Sequence, residues 1–291
     1  ITSLLSVALA MEGYSVCLVD LDLTAPGLAS VFQEYPDKGI LDYLLIDADT
    51  GRRGARVSDV LRELHAPIPD ARGRLSGILG RPELNNARAV QAYLLAEVRT
   101  GMLSSCLEHL LHEAQQQAHS MSSRFDLFVL DTPPSLFGLS AGARRLVEKH
   151  GGAQVFVAGP TVQDLAWVPE MVLSLREHDV TAGSASAIPA FVLNAYPYEL
   201  PDQRSADLIA EQILRCRGDE YLSGGNRAQA RAWSKALSGF RPRVIGWSEA
   251  IRTITLDPRQ ADEAVWGEAL SQGVNSLAGK LADDVLGRGS A

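Results

Sequence analysis

The sequence predicts a doubly wound α/β fold in which a mostly parallel sheet is flanked by helices. Short apolar runs that suit strands buried on both faces alternate with helical stretches along the 291 residues. A polar residue follows several of these runs at the point where the predicted strand ends. Because ligands bind at the carboxyl ends of the strands in such sheets, these polar residues are the first candidates for a functional site.

The pattern of apolar runs and turn signals predicts five strands within a single domain spanning residues 1–291. Residues 47–120 are predicted to be a Gly-, Pro- and Arg-rich excursion with a helical insertion. The predicted strands are 14–19, 125–130, 153–158, 190–193 and 243–247. The predicted helices are 1–12, which ends at the favourable C′ residue Gly13, 87–118, 138–149, 164–177, 202–216, 226–238 and 261–286.

Composition excludes several classes of protein. The net charge of −8 argues against a protein that coats nucleic acid with its whole surface. Three widely spaced cysteines, Cys17, Cys106 and Cys216, form no CxxC or Cys/His pattern, which argues against a disulfide framework or a structural zinc site. A cytoplasmic location is expected. No apolar run approaches the ~20 residues of a membrane helix.

Two carboxylates stand two residues apart at the end of the first predicted strand. Asp20 and Asp22 face the same side of an extended chain because side-chain directions alternate along it. Carboxylate oxygens are suitable ligands for Mg²⁺, and a triphosphatase also needs a group that positions the attacking water. The alternative interpretation is that the two residues cap the turn that follows.

The predicted strand 125–130 is followed by Asp131-Thr132-Pro133-Pro134-Ser135. An apolar strand that ends in Asp is typical of the element whose carboxylate holds the Mg²⁺ shell in nucleoside triphosphatases. Pro133 and Pro134 stiffen the next turn and remove two backbone donors, which suits a segment that approaches a phosphate or a water. The alternative for Asp131 is a structural role at a strand-end turn.

These motifs together resemble the ParA/MinD family of deviant Walker P-loop ATPases. The helix ending at Gly13, the strand Val16-Cys17-Leu18-Val19 with its DxD ending, and the DTPPS segment 131–135 match the family's order of motifs. Residues 20–28, DLDLTAPGL, resemble a branch whose members are often fused or tethered to other modules. The specific resemblance covers roughly residues 1–45 and 124–200.

The resemblance also carries an expectation about the phosphate-binding loop. Counted back from Gly13, Ile1 falls directly after the Lys-[Ser/Thr]-[Ser/Thr] of the family's loop. We therefore expect that loop and the strand before it to be missing from these residues, as in an N-terminally truncated chain. Without its backbone amides and Lys, the chain is expected to bind ATP poorly.

Roles for individual residues follow from the resemblance. It implies that Asp22 positions the hydrolytic water, that Asp131 belongs to the magnesium shell, and that Asp20 joins the metal or phosphate-loop network. Pro133 falls in the switch segment beside the nucleotide. Asn194 matches an asparagine whose amide reads the adenine edge, since an amide offers a donor and an acceptor together. The alternative for Asn194 is a strand-end turn residue.

The function implied by the resemblance is an ATP- and Mg²⁺-dependent switch. Two subunits would sandwich nucleotide, and hydrolysis would release them to position or regulate a partner, either a protein or DNA. The alternative is a non-hydrolysing or degenerate interaction scaffold, and a synthase that activates a carboxylate with ATP is a third possibility. Membrane tethering is not expected, because acidic Asp283 and Asp284 accompany the apolar stripe of the last helix.

Overall fold

The first strand, β1 (Ser15–Asp20), lies inside a four-stranded sheet of order β2-β3-β1-β4. It pairs in parallel with β3 (Arg74–Ile78) on one side and with β4 (Leu127–Asp131) on the other. The short strand β2 (Leu61–Glu63) pairs antiparallel with β3. The prediction of a mostly parallel sheet flanked by helices is thereby confirmed.

This computed structural model describes most of the N-terminal half and selected segments of the C-terminal half. The chain divides into a first unit, residues 2–149 and 250–270, and a second unit that comprises Ile1 and residues 150–249 and 271–291. Single-domain organisation stays a prediction. The described residues are 1–23, 25–45, 53–65, 68, 71–81, 103–120, 123–133, 138–159, 190–196, 241–246, 248–271 and 273–286.

Both faces of β1 are covered, since its residues from Val16 onward are fully buried. The alternate residues Cys17 and Val19 join a hydrophobic cluster that includes Leu107 and Leu110. Helix α1 (Thr2–Met11) packs on β1, β3 and β4. The other helices of the first unit are α2 (Leu28–Val31), α3 (Ile40–Leu44), α4 (Val57–Val60), α5 (Leu103–Ser120), α6 (Leu139–Lys149), α7 (Glu249–Leu256) and α8 (Glu263–Ser271).

Helix α1 ends at Met11, and Gly13 is the left-handed residue after the helix end, as the sequence predicts. Gly13 has φ +100°, and its N–H donates to the carbonyl of Ala10 while the N–H of Tyr14 donates to the carbonyl of Leu9. Glycine adopts this left-handed conformation without steric cost, and the paired hydrogen bonds satisfy carbonyls at the end of the helix. The chain therefore turns directly from α1 into β1.

The second unit contains a three-stranded parallel sheet of order β5-β6-β7. Its strands are β5 (Val155–Ala158), β6 (Ala190–Tyr196) and β7 (Arg241–Gly246), and Val192 and Ile245 are buried. Helix α9 (Val274–Leu286) also belongs to this unit. None of the described helices is both long enough and apolar enough to cross a membrane.

The prediction of one continuous C-terminal helix is wrong. The sequence predicts a continuous helix over 261–286, whereas the structure has α8 ending at Ser271 and α9 beginning at Val274. Gly273 lies between them with φ +92°, a left-handed conformation that ends helical propagation. The predicted helices 164–177, 202–216 and 226–238 lie outside the described residues, as does the first half of 87–118.

Candidate functional site

Asp20 and Asp131 lie side by side at the carboxyl ends of adjacent parallel strands. Asp20 is the register partner of Asp131, and the N–H of Leu21 continues the ladder by donating to the Asp131 carbonyl at 2.7 Å. Two apolar runs that each end in Asp therefore bring their final residues together when they pair in register. The structure confirms the sequence expectation that these two residues share one edge of the sheet.

Asp20 is fully buried, with 0% of its surface exposed. Two backbone amides donate to its carboxylate, that of Asp22 to Oδ1 at 3.2 Å and that of Gly80 to Oδ2 at 3.4 Å. Burial, together with the negative charge of Asp131, raises the pKa of the Asp20 carboxyl to about 7, although the two amides act in the opposite direction. Ionised Asp20 is therefore energetically costly in this fold.

Asp131 is held by a hydroxyl from the start of α1. Thr2 Oγ1 donates to Asp131 Oδ1 at 2.6 Å, across 129 positions in the sequence. Burial raises the pKa of the Asp131 carboxyl and the charge of Asp22 adds to this effect, whereas the Thr2 hydrogen bond lowers the pKa. Helix α1 thus touches the same edge of the sheet through its first turn.

Asp22 lies on the loop that leaves β1 and is only partly buried. Its Oδ1 accepts a hydrogen bond from the N–H of Ala25 at 3.1 Å, which folds the chain back on itself. The turn-capping interpretation of Asp22 is therefore correct as far as the backbone is concerned. Its charge also raises the pKa of both Asp20 and Asp131. Asp22 therefore caps the turn and also interacts with the two carboxylates at the strand ends.

The carboxylates of Asp20, Asp22 and Asp131 are oxygen donors of the type that a hard divalent cation binds. Mg²⁺ binds oxygen ligands and keeps several waters, so one or two carboxylates are enough to hold it. Burial disfavours the charged form of both Asp20 and Asp131, and a bound cation would relieve this cost. Within the described segments, no group of three or more His, Cys, Asp or Glu side chains is placed so that it could hold a metal ion. The donors fit a largely hydrated cation.

The remaining predicted residues are placed less fully. The carbonyl of Pro133 accepts a hydrogen bond from Ser140 Oγ at 3.0 Å, which ties the segment after β4 to the first turn of α6. Asn194 lies in β6 opposite Ile245, in the second unit. The structure brings Asp20, Asp22 and Asp131 together, and the nucleotide-contact roles of Pro133 and Asn194 stay predictions.

Two residues that touch the carboxylates were missed by sequence reasoning. Thr2 is one hydroxyl residue in an apolar helix, and no local pattern links it to a strand end 129 positions away. Gly80 follows β3, a strand that the sequence analysis did not predict because Ser76 and Gly77 interrupt its apolar run. The signal available for Gly80 was the apolar stretch Ile78-Leu79 directly before it.

Comparison with solved structures identifies similar folds at low sequence identity. Apo McdA of Cyanothece matches with a TM-score of 0.53 and 14% identity, covering 98% of this chain and 93% of that one. A chain of the MinC:MinD cell division protein complex of Aquifex aeolicus matches with a TM-score of 0.52 and 15% identity, covering 96% and 89%. No protein-family model and no curated protein matches. The chain has the fold of the ParA/MinD-like P-loop nucleoside triphosphatases.

Proposed function

We propose that this protein is an ATP-binding and ATP-hydrolysing switch that positions or regulates a partner. The observation that carries the proposal is the pair of buried Asp20 and partly buried Asp131 on adjacent strand ends, with Asp22 on the loop that follows β1. Buried carboxylates of raised pKa are costly to keep and are concentrated at functional sites. Their location at the carboxyl edge of a parallel sheet is where such folds bind ligands.

Each carboxylate has a distinct part in this proposal. Asp22, which is partly exposed on its loop, positions the water that attacks the terminal phosphate. Asp131 holds the hydration shell of Mg²⁺, and Thr2 fixes the orientation of its carboxylate. Asp20 anchors the base of the Asp22 loop through the Asp22 amide. Bound Mg²⁺ neutralises charge on the phosphate oxygens.

Nucleotide contacts and partners belong to the same proposal. Asn194 recognises the adenine edge, and the stiff segment at Pro133 lies against the phosphates. An ATP-dependent homodimer is the assembly that the family resemblance implies. The MinC:MinD complex joins two different proteins, which supports a protein partner over DNA. The predicted location is cytoplasmic.

The test is ATP turnover by a full-length protein whose sequence carries the predicted phosphate-binding loop. Asp22→Ala is expected to lower kcat by about 100-fold or more, because a positioned water-activating group typically contributes this much. ATP affinity should stay close to that of the wild type, since Asp22 acts on the water. Asp37→Ala, which removes an exposed carboxylate of the same unit, is the matched control and should leave turnover unchanged.

Two outcomes would contradict the proposal. Unchanged turnover in Asp22→Ala would remove this residue from the hydrolytic step. A wild-type protein that binds ATP and Mg²⁺ but does not hydrolyse ATP would instead support the alternative, a nucleotide-dependent interaction scaffold.

A further inference from the structure

Gly80 lies at the end of β3, beside the end of β1. Ile78 is the register partner of Val19, so the chain two residues further on reaches the level of the carboxylates. Gly80 is buried, and its N–H donates to Asp20 Oδ2 at 3.4 Å. The carboxylate of Asp20, the last residue of β1, is therefore contacted from the chain after β3 and also lies beside the end of β4.

The space around Gly80 is too small for any side chain. A Cβ atom at this position would lie 2.4 Å from Cβ of Pro26, 3.3 Å from its Cγ and 3.2 Å from Asp20 Oδ2. A separation of 2.4 Å between two non-bonded carbon atoms does not occur, so either Gly80 or Pro26 would have to move. The backbone of Gly80 packs directly under the ring of Pro26.

Pro26 belongs to the loop that carries Asp22. We define the carboxylate loop as the described residues 20–23 and 25–27. The amide of Ala25, the residue before Pro26, donates to Asp22 Oδ1 at 3.1 Å. Gly80 thus contacts the loop at both ends, through Asp20 at its start and through Pro26 after its turn.

One contact on each side of Gly80 restrains the chain that follows β3. The carbonyl of Leu79 accepts the N–H of Ile40 at 3.0 Å. The guanidinium of Arg81 lies 3.7 Å from the carboxylate of Asp42. Because the chain after β3 is held on both sides of Gly80, a side chain added there would displace Pro26 and the carboxylate loop.

We infer that Gly80 is a positioning residue for Asp22, because its lack of a side chain seats Pro26 and its amide holds Asp20. The inference rests on the proposed function, since the step affected is the positioning of the hydrolytic water. Misplacing a reacting group by about 1 Å can cost 100-fold in rate. Nucleotide affinity is not expected to depend on this contact.

The experiment combines two measurements on the full-length protein that carries the predicted phosphate-binding loop. Hydrogen exchange of peptides covering residues 20–27 reports the position of the carboxylate loop without requiring ATP turnover. Steady-state kinetics separates kcat from KM. Gly80→Ala is expected to speed exchange in these peptides about tenfold, as for an overpacked contact, and to lower kcat about tenfold or more with KM nearly unchanged.

Gly77→Ala is the matched control on the same strand. A Cβ at Gly77 would lie 2.6 Å from Cδ1 of Leu64, 3.1 Å from its Cγ and 3.2 Å from Cδ2 of Leu79, so this variant crowds buried side chains but neither Pro26 nor Asp20. It should leave exchange in residues 20–27 and kcat unchanged. The double variant Gly80→Ala with Pro26→Gly removes the colliding Cβ and Cγ, and should return both measurements to those of Pro26→Gly alone.

The outcomes are distinct. Unchanged exchange in Gly80→Ala, or an equal loss of kcat with and without Pro26→Gly, would overturn the inference. If Gly80→Ala does not fold, folding of the double variant supports the collision with Pro26, and failure of both overturns it. Absence of ATP turnover in the wild type would overturn the proposed function, while the exchange comparison would still decide whether Gly80 positions the loop.

Discussion

The two ends of the strand pair β1 and β4 carry the same type of residue in opposite settings. At the amino ends, Ser15 and Asp126 exchange two hydrogen bonds, from the Ser15 N–H to Asp126 Oδ2 and from the Asp126 N–H to the Ser15 carbonyl, both at 2.8 Å. At the carboxyl ends, Asp20 and Asp131 lie side by side. Asp126 is exposed, whereas Asp20 is fully buried.

The comparison separates structural carboxylates from candidate functional ones. Asp126 is bonded to Ser15 at the amino ends of the two strands. It is exposed to water, where a charge costs little. Asp20 is buried and Asp131 is partly buried beside it, and burial raises both pKa values. A fold that only needed to end two strands would gain stability by replacing this pair. This cost supports the proposal that a ligand binds at that edge of the sheet.

The largest expected effect on stability comes from Asp20→Asn. The carboxyl has a pKa of about 7 in the folded protein and 3.8 in the unfolded reference. Between these values the folded state keeps a proton that the unfolded state has lost, so stability falls as pH rises through this window. The pKa difference corresponds to about 4 kcal/mol at most. Asn carries no charge and avoids this loss.

Urea unfolding with EDTA present measures this prediction. The free energy of unfolding of Asp20→Asn should exceed that of the wild type at pH 8, and the gain should shrink towards pH 4. A gain that is larger at pH 4, or a lower free energy of unfolding than the wild type at pH 8, would show that ionised Asp20 does not destabilise the folded state.

A smaller effect is expected from Thr2→Val, which keeps the shape of the side chain but removes the hydrogen bond to Asp131. Hydrogen bonds to charged groups contribute about 1.5–3 kcal/mol, so unfolding at pH 8 should become easier by about 2 kcal/mol. Thr255→Val is the matched control, because Thr255 Oγ1 donates only to a carbonyl of its own helix, that of Ile251. Equal losses in the two variants would indicate that the Asp131 contact contributes nothing special.

The smallest effect is expected from Asp126→Ala at the other end of the strand pair. Water replaces its exposed hydrogen bond to the Ser15 amide, so the loss of stability should be smaller than that of Thr2→Val. Thermal unfolding of both variants under one condition checks the order. A larger loss in Asp126→Ala would reverse the comparison between the two ends.

The sequence predicted the strands on which the carboxylates stand. The apolar runs before Asp20 and Asp131 predict two parallel strands, and a parallel sheet then brings their ends to one edge. Gly13 ends α1 where local conformational preference predicts it should. These features depend on periodicity and on single-residue backbone preferences, which a sequence displays directly.

The missed features depend on contacts between distant residues. Strand β3 contains Arg74, Ser76 and Gly77, so its intrinsic preference for a strand is weak, and pairing with β1 decides its conformation. Gly80 has no unusual backbone angle that a turn pattern would reveal, because its role is to make room for Pro26. Such requirements follow from packing and become visible only in three dimensions.

The most direct test of the central claim compares Asp131→Ala with Asp126→Ala for ATP turnover in the protein extended at its N-terminus by the predicted phosphate-binding loop. The two residues lie at opposite ends of the β4 segment. Loss of a group that orients a metal's shell typically costs 10- to 100-fold, so Asp131→Ala should lose about that much activity and need more Mg²⁺ for half-maximal rate. Asp126→Ala should retain wild-type turnover and Mg²⁺ dependence. Equal turnover in the two variants would contradict the assignment of the hydrolytic site to the carboxyl edge of this sheet.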